Sequence, residues 1–203
     1  GIDTELFSPS KTAISPNSIL YFGSIIRKKG VLELSEIFNC VIEEIPEAKL
    51  TLLGKDVVDI KTKKSTLELF MSALSSAAKQ NITHIPHIPY NEVKGHIARA
   101  NVIVLPSFAE AFPMTWLEAM AMEKALVSSN IGWAKELMID GKTGYSENPK
   151  NHEGYAAKII LLLKNKESNI TFGKNAKQHI KNNFSQEIIG KQNIDLYLSI
   201  MKQ

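Results

Sequence analysis

Short apolar runs alternate with longer amphipathic stretches along this 203-residue chain. The short runs predict five strands, at 18–22, 49–53, 82–85, 102–105 and 125–128. Apolar residues at three- and four-residue spacing predict helices at 31–45, 63–78, about 91–99, 113–122, 152–165, about 168–183 and 185–201. Continuously apolar strands separated by helices are typical of a parallel sheet covered on both faces. We therefore predict an α/β fold, a three-layer, doubly wound parallel sheet of the Rossmann kind.

Composition narrows the class of protein without naming a function. Hydrophobic residues make up 44% of the chain and charged residues 22%, which is typical of globular domains and not of disordered chains. The net charge of +3 is too small to favour nucleic-acid binding. Cys40 is the single cysteine and cannot form an internal disulfide, which fits a reducing compartment. We expect a cytoplasmic protein that reaches the inner membrane face, if at all, through a domain outside this chain.

The chain begins with Gly1 and not with Met, so we expect that an N-terminal part of a longer protein precedes it. Residues 1–17 contain serine–proline pairs and lie before the first predicted strand. We interpret them as a connection between domains, 18–183 as one Rossmann-like domain, and 184–203 as a C-terminal helix expected to pack back on the missing domain.

The segment from Pro106 to Ala121 is the strongest candidate for a functional site. It follows a predicted strand and opens a helix near Pro113, where free backbone N–H groups and the helix dipole favour an anion. Glu110 precedes this helix, and Glu118 lies about five residues into it, roughly 7 Å along the axis. Two acceptor carboxylates around a phosphate site suit the hydroxyls at either end of a nucleotide sugar. Spacing alone leaves open a solvated Glu118 and a Glu110 favoured only by the dipole.

Loops after the other predicted strands carry weaker signals. Gly23 to Gly30 combines glycines with Arg27, Lys28 and Lys29, which suits phosphates, but a solvated basic loop explains it equally. Gly54 and the segment His84–Tyr90 follow the second and third strands and could hold a base through backbone hydrogen bonds; ordinary turns are the alternative. Two histidines without a nearby cysteine or carboxylate do not predict a metal site.

Glu110 and Glu118 form an E-x7-E pattern within SFAEAFPMTWLEAMA. This segment resembles the donor-site signature of retaining glycosyltransferases of family 4. The resemblance covers nearly the whole chain, and the matching segments come in the family's order. They are the interdomain connection at 1–9, the phosphate loop at 22–30, the base loops at 52–54 and 88–90, the segment after the donor helix at 136–144, and Phe184-Ser185 before the closing helix.

The resemblance implies a GT-B enzyme, of which this chain is the C-terminal, donor-binding half. In that family Glu118 would hold the ribose hydroxyls, Glu110 would hold the transferred sugar, and Lys29 would stabilise the leaving diphosphate. We therefore take Glu110 and Lys29 as the catalytic residues. The donor-binding residues implied are Gly23, Ser24, Arg27, Lys28, Gly54, His87, Ile88, Phe112, Pro113, Met114, Thr115 and Glu118.

The implied reaction transfers a glycosyl unit with retention from a nucleotide-diphosphate sugar to a glycan or lipid-linked acceptor. We expect no metal cofactor, because cations and a helix N-terminus can supply the charge. Since acceptor contacts would lie in the missing domain, we expect the chain alone to bind nucleotide and transfer almost nothing. Polysaccharide or glycolipid synthesis is the expected setting.

Three positions depart from the family pattern. Ser24 stands where an arginine is usual, so that Arg27 or Lys28 would have to compensate; Ala111 and Pro86 each stand where glycine is usual. These departures keep two other classes open. One is a degenerate, non-catalytic nucleotide-sugar-binding module, and the other is a sugar-nucleotide epimerase of the same fold.

Overall fold

The computed structural model describes residues 1–132 and 134–201. Six parallel strands form one sheet in the order β3-β2-β1-β4-β5-β6. They are β1 (Ser18–Phe22), β2 (Lys49–Leu53), β3 (Ile82–Ile85), β4 (Val102–Leu105), β5 (Leu126–Ser129) and β6 (Gly144–Glu147). The parallel α/β prediction is confirmed. The sixth strand was not predicted because its sequence, Gly-Tyr-Ser-Glu, contains no apolar run.

Nine helices of the described residues surround the sheet. They are α1 (Val31–Glu44), α2 (Thr66–Ala73), α3 (Ser76–Lys79), α4 (Tyr90–Arg99), α5 (Met114–Ala121), α6 (Ala134–Leu137), α7 (His152–Lys164), α8 (Lys166–Asn183) and α9 (Gln186–Met201). A single 3-10 turn, Arg27–Lys29, precedes α1. Neither α6 nor this turn was predicted, because each is too short to show a helical period.

The prediction of one helix over 63–78 is wrong. Helix α2 begins only at Thr66, because the preceding chain folds around Asp59, whose carboxylate accepts hydrogen bonds from Thr62. Leu74 is extended, and the Ser75 side chain accepts a hydrogen bond from the N–H of Ala78, which begins a separate helix. Serine is a favoured N-cap, so this break has a local cause.

The hydrophobic core lies between the sheet and the helices that pack on it, and every residue of β4 is buried. Helix α1 presents an apolar stripe that includes Leu34, Ile37, Phe38 and Val41, all buried, and it packs against α2 and α7. Helix α5 packs against α8. Because these helices fix the strands that they flank, the loops at the carboxyl ends of β1, β2, β3 and β4 have a rigid base.

The two ends of the chain meet beside the domain. The N–H of Ile2 donates to the carbonyl of Phe184 (2.8 Å), and the N–H of Gln186 donates to the carbonyl of Ile2 (3.0 Å). Ile2 and Phe7 are buried, and the N–H of Ser15 donates to the carbonyl of Arg99, so residues 1–17 are anchored on the domain at several points. Helix α9 follows, with Ile194, Leu196, Tyr197, Leu198 and Ile200 exposed. The last two residues of the predicted 184–203 segment lie outside the described residues.

Candidate functional site

The loops that follow β1, β2 and β4 touch one another through their backbones. A Cβ on Gly54 would lie 1.9 Å from the carbonyl oxygen of Gly23, and one on Gly30 would lie 1.8 Å from the carbonyl oxygen of Pro106. Gly30 also has a φ of +70°, which side-chain-bearing residues rarely adopt. The N–H of Phe108 donates to the carbonyl of Lys28 (2.8 Å). These contacts fix the predicted phosphate loop against the loop that carries Glu110.

A cavity of about 290 Å³, here called the Glu118 cavity, opens where these loops meet. Seven of the predicted donor-binding residues line it together. They are Gly23, Ser24, Gly54, His87, Ile88, Thr115 and Glu118. Residues from four separate segments of the sequence therefore converge on one cavity, which local turn formation does not require.

Glu118 is buried, with only 5% of its surface exposed. The hydroxyl of Tyr90 donates to its Oε1 atom at 2.6 Å. Burial raises the pKa of this carboxyl group, and the hydrogen bond from Tyr90 acts in the opposite direction. The alternative of a solvated Glu118 is therefore wrong. The Glu118 side chain therefore has one hydrogen-bonded oxygen and lies in the lining of the Glu118 cavity.

A larger cavity of about 560 Å³, the Glu110 cavity, lies at the start of α5 and is lined by Glu110, Pro113 and Trp116 among others. Glu110 Oε1 accepts hydrogen bonds from Lys29 Nζ (2.5 Å) and from Ser107 Oγ (2.7 Å). No side chain caps the start of α5 among the residues that the structure describes. The cavity thus combines a carboxylate, a lysine and a helix N-terminus, which can together bind an anion and a hydroxyl.

Two predicted donor residues near the start of α5 line neither cavity. Phe112 is half-exposed, with its ring 6.4 Å from that of Phe184, centroid to centroid. Met114 is also exposed. Their backbones stay beside the helix N-terminus, so any role in binding a donor falls to main-chain N–H groups and not to these side chains.

Arg27 and Lys28 occupy different positions in the phosphate loop. The guanidinium group of Arg27 makes two hydrogen bonds to Asp59, at 2.7 and 2.9 Å, and holds the pKa of that buried carboxyl group well below its usual range. Lys28 is exposed and lines the Glu110 cavity. The structure therefore brings Lys28 to the Glu110 cavity, whereas Arg27 is paired with Asp59 and Ser24 lines the Glu118 cavity.

Three side chains with supporting contacts were not among the predicted site residues. Buried Tyr21 donates its hydroxyl to the carbonyl of Ser24 (2.7 Å) and so fixes the phosphate loop. Ser107 holds Glu110, and Tyr90 holds Glu118. A tyrosine in an otherwise apolar strand is a signal for Tyr21, since a buried hydroxyl needs a partner. Ser107 and Tyr90 carry no such signal, because neither lies in an apolar strand, so their positions in the sequence do not indicate that their hydroxyls need a protein partner.

His84 lies within β3, and His87 lies in the loop that follows it. His84 Nε2 lies 3.0 Å from the carbonyl oxygen of Gly54, and His87 lines the Glu118 cavity. Within residues 1–132 and 134–201, no group of three histidine, cysteine or acidic side chains could hold a metal ion. No helix in the same residues is long and apolar enough to cross a membrane.

A family model described as "Glycosyl transferases group 1" matches residues 3–179. The chain belongs to this glycosyltransferase family. Among curated proteins, this glycosyltransferase domain is 26% identical over 183 residues to the capsular polysaccharide biosynthesis glycosyltransferase CapM of Staphylococcus aureus. That match covers 90% of this chain and 46% of CapM. The chain thus spans about half the length of the curated relatives it matches.

Solved structures match the fold closely. Sucrose-phosphate synthase from Thermosynechococcus elongatus gives a TM-score of 0.83 at 25% identity, covering all of this chain and 51% of that one. HepE from Anabaena, solved with UDP and glucose, gives 0.83 at 18% identity, covering 98% of this chain and 55% of that one. The Rossmann-like sheet of this glycosyltransferase domain therefore has the architecture of GT-B enzymes.

Proposed function

We propose that this chain is the C-terminal, donor-binding domain of a retaining, family 4 glycosyltransferase. The observation that carries the proposal is the convergence of seven predicted donor residues on the Glu118 cavity, together with a second cavity lined by Glu110, whose carboxylate is bonded to Lys29. Helix α5 lines both cavities. A nucleotide-diphosphate sugar has matching parts, with a nucleoside at one end, a sugar at the other and charge between them.

The nucleoside would occupy the Glu118 cavity. There Glu118 accepts hydrogen bonds from ribose hydroxyls, while the backbone around Gly54, His87 and Ile88 contacts the base. A buried carboxylate is a strong acceptor for such hydroxyls because no water competes for it. The related fold of HepE was solved with UDP, which is consistent with this assignment.

The diphosphate would lie across the start of α5, beside Lys29 and Lys28. Its charge competes with Glu110 for the ammonium group of Lys29, which now lies 2.5 Å from that carboxylate. Once Lys29 turns to the phosphate, the carboxylate is available to a hydroxyl of the transferred sugar, with Ser107 still holding it. Lys29 and the helix N-terminus then stabilise the leaving diphosphate, so that we propose a reaction without a metal ion.

The whole protein would transfer the sugar to a glycan or lipid-linked acceptor. The name of CapM supports a role in polysaccharide synthesis. The acceptor would be bound by a preceding domain of the same protein, joined through residues 1–17 and facing the exposed apolar side chains of α9. The chain alone then binds the donor and transfers almost nothing. We place the protein in the cytoplasm, with any contact to the inner membrane face made by that other domain.

A thermal-shift panel tests this proposal. The chain is mixed with UDP, GDP, ADP, TDP and their common sugar conjugates, with and without EDTA. A ligand at one hundred times its Kd adds about 2.7 kcal/mol of stability, which is several degrees for a domain of this size. We expect one base to stand out and EDTA to change nothing. No shift with any nucleotide would contradict donor binding and favour the degenerate module, and a shift abolished by EDTA would contradict the metal-free site.

A further inference from the structure

A third cavity, of about 410 Å³, adjoins the Glu110 cavity and shares Lys28 and Phe108 with it. We call it the basic cavity. Lys28 reaches it from the phosphate loop, Lys61 from the loop between β2 and α2, and Lys150 from the turn before α7. The sequence separates these lysines widely, and the fold brings them to one opening. Of the three lysines, the proposed nucleotide sugar uses only Lys28, which leaves Lys61 and Lys150 without a role in donor binding.

The charges of the basic cavity do not cancel. Arg27 and Asp59, which also line it, neutralise each other through their two hydrogen bonds. In the part of the chain that the structure describes, Lys28, Lys61 and Lys150 have no carboxylate within 4 Å in this cavity. Three cations against the one remaining carboxylate leave an excess of two positive charges. Such a cavity favours an anionic group.

The remaining carboxylate, Glu33, lies in the first turn of α1 and also lines the basic cavity. Its Oε2 atom is buried and has no hydrogen-bond partner among the described residues. A buried carboxylate oxygen without a donor is unfavourable, so Glu33 gains a hydrogen bond if its side chain turns to a ligand hydroxyl in the cavity. The cavity therefore presents cations for an acid and an acceptor for a hydroxyl.

We propose that the basic cavity binds an acidic sugar unit of the acceptor, one that carries a carboxylate or a phosphate. The inference rests on the proposed function and extends it. The preceding domain still binds the acceptor, and the basic cavity adds a contact to one acidic unit beside the cavity assigned to the transferred sugar. Lys61 and Lys150 bind the acidic group, and Glu33 accepts a hydrogen bond from a hydroxyl. The exposed side chain of Ile60 and the ring of Phe108 offer apolar surface to the C–H face of the sugar.

Titrations of the isotope-labelled chain, followed by NMR, test the proposal with four probes: glucuronate, glucose 6-phosphate, inorganic phosphate and glucose. We expect one of the two acidic sugars to shift amide signals around residues 59–61 and 150, and glucose to bind at least tenfold more weakly. The double variant Lys61→Ala/Lys150→Ala should weaken that acidic sugar at least tenfold. The matched control, Lys64→Ala/Lys174→Ala, removes two exposed lysines that do not line the cavity and should leave its affinity unchanged.

A further variant, Glu33→Ala, separates the binding of the acidic group by the lysines from the binding of the hydroxyl by Glu33. The variant should lower the affinity for the acidic sugar, because the acceptor for its hydroxyl is lost. It should raise the affinity for inorganic phosphate, because a negative charge is removed. Tighter binding of glucuronate would identify the acidic group as a carboxylate, and tighter binding of glucose 6-phosphate would identify it as a phosphate. Equal binding of glucose, equal binding of inorganic phosphate, or equal losses in the two double variants would overturn the proposal. Uridine, which has no phosphate, is titrated in parallel and reports on the Glu118 cavity, and UDP reports on the whole donor site, so that failure of donor binding is seen separately.

Discussion

The two carboxylates that flank the start of α5 are held in opposite ways. Glu118 is buried, and its hydrogen-bond partner is the neutral hydroxyl of Tyr90. Glu110 is partly exposed and bonded to the cation of Lys29 and the hydroxyl of Ser107. Glu110 and Glu118 are eight positions apart in the sequence. Glu118 nevertheless has a neutral hydrogen-bond partner, whereas Glu110 has a charged one.

This difference distinguishes a fixed contact from an exchangeable one. A phosphate can draw Lys29 away from Glu110, because both anions compete for the same cation. It cannot draw Tyr90 from Glu118 in this way, since a neutral phenol gains little from phosphate. The Glu118 cavity is therefore suited to hold the unreacting nucleoside, and the Glu110 cavity to change its contacts during the reaction.

The largest expected effect comes from removing the fixed contact. Glu118→Ala should weaken binding of the preferred nucleoside diphosphate by about 1.5–3 kcal/mol, because a charged acceptor is lost from a site without competing water. Isothermal titration calorimetry measures this difference, and circular dichroism checks that the variant is folded. A much smaller loss would mean that the ribose does not contact Glu118.

A smaller and more selective effect is expected at the exchangeable contact. Glu110→Ala should weaken the sugar nucleotide by about 1 kcal/mol through the loss of a hydrogen bond to the sugar. It should leave the bare nucleoside diphosphate unchanged or bound more tightly, since Lys29 no longer has a competing partner. The ratio of the two affinities, measured on the same preparation, is the readout. Equal losses of affinity for both ligands would show that Glu110 does not contact the transferred sugar.

The smallest effect is expected from Tyr90→Phe, which keeps the ring and removes the hydroxyl. Nucleotide affinity should fall by about 0.5 kcal/mol, because Glu118 loses the partner that orients it. The hydrogen bond from Tyr90 lowers the pKa of Glu118, so its loss raises that pKa further.

Binding that needs ionised Glu118 is lost as the pH falls through its pKa. The acidic limb of the affinity–pH profile should therefore move to higher pH in Tyr90→Phe than in the unmodified chain. Nucleotide titrations across the acidic range measure this shift, and Tyr145→Phe, which removes the hydroxyl of another tyrosine far along the sequence, is the control. An unmoved profile would show that Tyr90 does not act through Glu118.

The sequence predicted what depends on local pattern and missed what depends on contact. Apolar runs and their spacing predict five strands and most of the helices around them. Glu118 was a candidate site residue because it lies in the helix that follows β4. The break at Ser75 and the polar strand β6 were missed, because a capping hydrogen bond and an edge position are set by neighbours in space. The pairing of Arg27 with Asp59, 32 residues away, was hidden for the same reason.

The close approach of Gly30 to the carbonyl oxygen of Pro106 has an evolutionary consequence. The anchor between the two loops consists of main-chain atoms, so it does not depend on which side chains the loops carry. Positions 24 and 28 can therefore exchange charge, size and polarity while the path of the backbone stays the same, whereas Arg27 is paired with the buried carboxylate of Asp59. A lineage can change its preferred ligand through these side chains by single substitutions, without rebuilding the loop that presents them.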